Sequence, residues 1–199
     1  MTDSTTLGYL APESAPPLDD ADLDKAVAAA VAGITALDPT LVVIKGQPVP
    51  AQQPGRSSTW CAVGVTGIEP SVYADDEHFG FMDGGQGASR LSRVEEIEVM
   101  ASFHGPGCRA AATLLRDGLA VAQNRDALRS NGLAYVRTER VTGLADLVLN
   151  QFVRRVDVVL RLRRIVARIY PIRNVASLTG FLAADGGDAT SPAPIVAEI

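Results

Sequence analysis

The chain predicts an α+β fold: a mainly antiparallel or mixed β-sheet with helices packed on one face and one long projecting strand or hairpin. Three observations carry this. In residues 150–170, NQFVRRVDVVLRLRRIVARIY, Val156, Val158, Leu160 and Leu162 alternate with Asp157, Arg161 and Arg163, and only Val159 breaks the pattern. That period of two is the mark of a half-buried strand, and the Val and Ile content favours strand over helix. Ile97, Val99, Ala101 and Phe103 repeat the pattern against Glu96, Glu98, Met100, Ser102 and His104, giving a strand with one acidic face. Finally, the elements from Arg90 onward run strand, helix, strand, strand, and a strand that follows a strand directly argues against a doubly wound sheet.

In chain order, the Pro-containing arm of residues 1–17 is expected to be extended. Asp19 or Asp20 can then cap a helix over Leu18 to Leu37, whose stripe is Leu23, Val27, Ala30, Val31 and Ile34. Asp38-Pro39 ends it, and Leu41 to Ile44 is a short strand. Residues 45–58, rich in Pro and Gly, form a loop before a strand from Thr59 to Ile68 with Trp60, Ala62 and Gly64 on one face. Glu69 to Ser89 shows no periodicity; it reads as a long loop, acidic at Asp75, Asp76 and Glu77 and glycine-rich from Gly80 to Gly87, that orders against a neighbouring copy. After the strand ending at His104, Gly105-Pro106-Gly107 turns into a helix reading CRAAATLLRDGLAVAQ, with Pro106 in its first turn and an apolar side of Leu114, Leu115, Leu119 and Val121. A second short turn, Arg125 to Ser130, stops at Asn131-Gly132, a pair suited to left-handed angles. Leu133 to Thr142 is the next strand, and Gly143 to Leu149 connects it to the arginine strand of Gln151 to Tyr170. NVASLTGFL makes a short terminal element, residues 185–194 a linker, and the β-prone IVAEI can add a strand to its own sheet or to an adjacent subunit. The organisation is thus an arm (1–17), one α+β domain (18–183) and a carboxyl tail (184–199).

Length and composition agree. The 199 residues are 47% hydrophobic, enough to bury a core. No apolar run has the length of a membrane span, and the amino end lacks the basic region and apolar core of a secretion signal; a soluble protein made in a cytoplasm is expected, with no membrane partner. Cys61 and Cys108 have neither zinc-site spacing nor disulfide-scaffold density and read as buried thiols. The net charge of −5 is uneven. Residues 1–24 hold six acids and no base, whereas residues 140–173 hold eight arginines against Asp146 and Asp157. Such asymmetry suits head-to-tail contact between copies, although charges that merely solvate a surface would look the same.

The order of elements over about residues 72–170 resembles the neck or tail terminator proteins of long-tailed bacteriophages. The resemblance is carried by the Gly84-Gly85-Gln86-Gly87 approach, the Arg90-Leu91-Ser92-Arg93 strand start, the Phe103-His104-Gly105 strand end, the alanine-rich helix, Arg137 and Arg140, and the Arg155-Val156-Asp157 pattern. It implies a small α+β subunit of a hexameric ring at the head-proximal end of the tail, in the virion neck, assembled in the host cytoplasm. Such a ring ends tail-tube (and, in a contractile tail, sheath) polymerisation. It docks the tail to the head connector and lets double-stranded DNA pass without sequence recognition. Implied partners are further copies of the chain, the tail tube protein and connector or neck proteins.

For a ring subunit the expected contact residues are Glu96, Glu98, Arg155, Asp157, Arg161, Arg163, Arg164 and Arg168, since two unlike faces must meet. The same strands lying side by side in one subunit would instead pair internally. No catalytic residue, cofactor or metal is assigned. The Asp75-Asp76-Glu77-His78 run cannot aim consecutive side chains at one ion, and the Gly84–Gly87 run lacks the Gly-Lys-Ser/Thr ending of a phosphate loop. No helix carries a base-reading face, and a pI of about 5.0 argues against sequence-specific DNA binding. The alternative is a small intracellular α+β enzyme or ligand-binding domain that uses the 69–89 loop as a lid over His78, His104 and Cys108, His104 standing four residues before a thiol it would have to activate.

Overall fold

A computed structural model describes residues 4–5, 8–46, 57–82, 85–148, 151–174, 177–181 and 194–198. They fall into two compact units, one built from Pro16–Tyr73 and Arg93–Val166, the other from Met1–Ala15, Ala74–Ser92 and Ala167–Ile199.

The larger unit opens with α1 (Asp20–Thr35), whose Leu23, Val27 and Val31 are each 2% exposed, one residue per turn along the predicted stripe. It closes at Ala36, which takes left-handed angles (φ 54°), and Asp38 then caps a 3₁₀ turn at Pro39–Leu41 by accepting a hydrogen bond from the Thr40 amide. β1 (Val42–Ile44) pairs in parallel with β2 (Trp60–Pro70), and β2 pairs antiparallel with β4 (Gln86–His104) with a register shift between Val65 and Gly67. After Gly105 come α2 (Cys108–Gly118), α3 (Ala122–Arg129), β5 (Ala134–Val148) and β6 (Gln151–Arg173), the last two an antiparallel hairpin. Strand order is β1-β2-β4-β6-β5, a mixed open sheet, with β3 (Asp75–Met82) paired to β4 off this path. The fold is the α+β layout expected. The helices lie on one side: α1 packs on β1, β2, α2 and α3, and α2 and α3 pack on β5.

The core lies between that helical layer and the sheet. Ile97, Val99, Ala101 and Phe103 of β4 are fully buried, as are Cys61 and Val63 of β2; Val156, Val158, Leu160 and Leu162 of β6 join them. Each such large side chain is worth about 1.5–3 kcal/mol of burial. The face of β2 that makes core is therefore Cys61, Val63 and Val65, and the Trp60, Ala62 and Gly64 face is the opposite one. Val159, the break in the arginine-strand alternation, is also buried at 5%, so β6 is covered on both faces over residues 156–160.

Three expectations are corrected. Glu69 to Ser89 is not one loop: Glu69 and Pro70 belong to β2, and Asp75, Asp76 and Glu77 lie in β3, hairpinned to the start of β4. The alanine-rich helix stops at Gly118, where an added Cβ would lie 2.4 Å from Ile34 Cγ2, and the next begins at Ala122 rather than Arg125; Gly107 takes the capping place, so Pro106 precedes the helix. Gly143 to Leu149 is no connector as far as it is described, since β5 runs to Val148. Most of the expected 45–58 loop and of the 185–194 linker lies outside the described residues.

In the smaller unit, Glu13 N donates to Ile169 O, Ile169 N to Ser14 Oγ and Arg173 N to Ser4 Oγ, so the amino arm runs along the end of β6. Asn174 N donates to Gly85 O, and a Cβ at Gly87 would lie 2.2 Å from Asn174 Nδ2; this glycine provides close approach. β7 (Ser177–Phe181) and β8 (Pro194–Glu198) form a separate antiparallel pair, so the IVAEI segment adds its strand within its own chain.

Candidate functional site

Charged side chains concentrate on the sheet face away from the helices. Alternation on β4 and β6 puts Glu96, Glu98, Ser102 and His104 of one strand and Arg155, Asp157, Arg161 and Arg163 of the other on that face. The two strands are neighbours, so their charges meet within one chain. Arg161 is the hub, with Glu98 at 2.9 Å, Glu139 at 2.8 Å and Glu69 at 3.3 Å. Arg163 reaches Glu96 at 2.7 Å, and its hydrogen bond holds the Glu96 carboxyl below the usual range.

Deeper on the same face, Arg155 grips Asp157 through two bonds of 2.7 and 2.8 Å and touches Asp146 at 3.3 Å. Burial pushes the Asp157 carboxyl up, yet the bonds from Arg155 and Ser102 outweigh it and the net shift is downward. Lys45 Nζ donates to Ser102 Oγ at 2.9 Å, and burial lowers its affinity for a proton. His104 stacks on Trp60 with ring centroids 4.2 Å apart; burial, then the nearby Arg155, depress its pKa. These are bidentate and networked bonds at a largely covered sheet centre, an arrangement that fixes geometry.

Arg164 stands apart. It occupies the inward register of Leu162 and Val166 and is only 7% exposed. Its guanidinium meets Glu95 at 2.8 Å, Asp19 at 2.7 Å and the Leu18 carbonyl. Asp19 holds the capping position of α1 but makes no side-chain cap bond; its carboxylate serves Arg164 instead. An arginine expected at a subunit contact thus ties the start of α1 to β4 and β6 within the chain. Arg168, half-buried in the smaller unit, has no ion pair among the described residues.

Of the residues in the enzyme alternative, His104 and Cys108 face apart: His104 shares the charged sheet face, and Cys108 packs into the core at the start of α2. His78 is exposed on β3, Cys108 is 2% exposed in the core under α2, and burial pushes the Cys61 thiol up to about 12. Among the described residues, no group of three or more His, Cys, Asp or Glu side chains is placed to hold a metal ion, and no helix is long and apolar enough to cross a membrane.

One feature escaped the sequence reading. Pro106, Cys108 and Arg109 of α2 and its approach, Gly143 to Ala145 of β5, and Arg154 to Val156 of β6 enclose a cleft of about 600 Å³. Three arginines line it, and its residues lie too far apart in the chain for any spacing rule to join them.

A family model described as phage neck terminator protein matches residues 21–184, which covers α1 to β7. No curated protein matches the chain.

Proposed function

Because the chain belongs to the phage neck terminator family, whose members are structural components of the virion neck that meet other tail and head proteins, we propose that it forms a hexameric ring at the head-proximal end of the tail. There it ends tube polymerisation, with that of the sheath where the tail is contractile, and joins the tail to the head connector. Double-stranded DNA passes through the ring without sequence recognition. The match across residues 21–184 is the observation that carries this reading.

The charged strands support it in a modified form. Arg155, Asp157, Arg161, Arg164 and Glu98 stiffen the subunit through internal pairs, and the outer members, Arg163 at 52% side-chain exposure with Glu96, and Arg168, are the ones left to meet a neighbour. A ring protein works through surfaces that must hold their shape, and a rigid ion-paired face supplies one.

Native mass spectrometry across concentration and salt tests the reading. A ring is expected, either alone or on addition of tail-tube or connector protein. A chain that stays monomeric with all of them refutes it.

A further inference from the structure

The arginine cleft is built like a docking site. Arg109 and Arg154 are exposed and form no ion pair among the described residues, while Arg155 is held by Asp157 and Asp146. Arg109 reaches over the hairpin, its Nη2 3.6 Å from where a Cβ would stand at Gly143. On the hairpin, Phe152, 79% exposed, shares the strand face of Arg154, whereas Leu144, 46% exposed, points the other way with Arg155. Unpaired guanidinium groups on the same face as an exposed aromatic side chain are the composition of an interface centre.

The smaller unit carries the complement. Asp75, Glu77 and Phe79 alternate along one face of β3, all exposed, with Phe79 at 39%. Arg90 stands opposite Glu77 in register but makes no ion pair among the described residues. Ser89 donates to Asp76, which anchors the strand from its other face. Two carboxylates followed by an aromatic can meet two free arginines beside Phe152.

We propose that the Arg109–Arg154 cleft of one copy receives the Asp75–Phe79 strand of the next. Resting on the ring reading, this names its subunit contact: two unlike patches on one chain make a heterologous interface, the kind that closes into rings. Opposite charge sets register and speeds encounter, and Phe152 of one copy with Phe79 of the next supplies the apolar centre.

Charge reversal tests it on the full chain by light scattering at low and physiological salt. Arg109→Glu with Arg154→Glu, and separately Asp75→Lys with Glu77→Lys, should each weaken assembly at least about tenfold in midpoint concentration. All four changes together should restore it. These positions are exposed, so an unchanged melting temperature and circular dichroism confirm folding in each variant. If wild-type chain assembles and either pair of reversals assembles as well as it does, the docking proposal alone falls. If wild-type chain stays monomeric even with tail-tube and connector protein added, the ring reading falls and takes the proposal with it.

Discussion

Replacing Arg164 by Met should destabilise the protein more than any other single change on the charged strand. Glu95, whose side chain is 16% exposed, would lose its guanidinium, and Asp19, at 43%, would turn to water. Breaking a buried ion pair from one side costs about 3–5 kcal/mol, and a largely exposed partner about 0–1 kcal/mol. Part of the Glu95 penalty is relieved by its residual exposure, and Met fills much of the space left by the arginine stem. The net expectation is a loss of about 2–4 kcal/mol, or roughly 4–16 °C in melting temperature for a chain of this size. Glu95→Met should lose less, and Arg164→Met with Glu95→Met should recover most of the stability, because removing both partners leaves no charge stranded. Urea unfolding of the four proteins of this cycle isolates the coupling. An Arg164→Met protein within about 0.5 kcal/mol of wild type would show that the guanidinium contributes nothing net, and would refute the reasoning.

Ala36 holds left-handed angles at the end of α1, so Ala36→Gly should stabilise by about 0.5–1 kcal/mol in thermal unfolding; a lower melting temperature would contradict this. Gly105 combines φ 92° with a virtual Cβ 2.2 Å from the Ser58 carbonyl oxygen, and Gly105→Ala should cost more than about 2 kcal/mol or prevent folding, read by soluble yield and melting temperature. His104 has a folded pKa below its unfolded value, so the unfolded chain binds the proton first and His104 withdraws stability as pH falls through about 6.5. An NMR titration midpoint for His104 at or above the free-histidine value would contradict the burial that causes the shift. Cys61, with its thiol at about 12, should resist iodoacetamide at pH 8 in the folded protein and react once urea unfolds it.

Strands buried on one face were legible because burial writes a period of two into the sequence, as at Ile97 to Phe103 and Val156 to Leu162. β3 was not, because every residue from Asp75 to Phe79 is exposed and no face had to be apolar. The break between α2 and α3 is tertiary: Gly118 admits Ile34 of α1, and Asn124 Nδ2 donates to the Gly118 carbonyl at 2.8 Å, contacts no local pattern announces. The charge content of the long strand was legible, but the destination of its charges was not. Arg164 looks like Arg163 in the sequence, and only a carboxylate 145 residues away and another 69 away distinguish the buried one from the exposed one.

The ion pairs across the sheet also solve an alignment problem. Alternating strands forbid a slip of one residue, which would turn every aliphatic side chain outward, but apolar spacing alone tolerates a slip of two. After such a slip one of the two exposed-face arginines would still find an acid on β4, Arg161 at Glu96 or Arg163 at Glu98. Asp157 would not find Ser102, and Leu162 or Val166 would arrive where Glu95 and Asp19 wait for Arg164. The two unequal ends work like the ends of a vernier scale, on which a ladder of repeated marks can be read in only one position. A chain whose longest strand can seat in only one way presents the same outline in every copy, which is what the proposed ring requires.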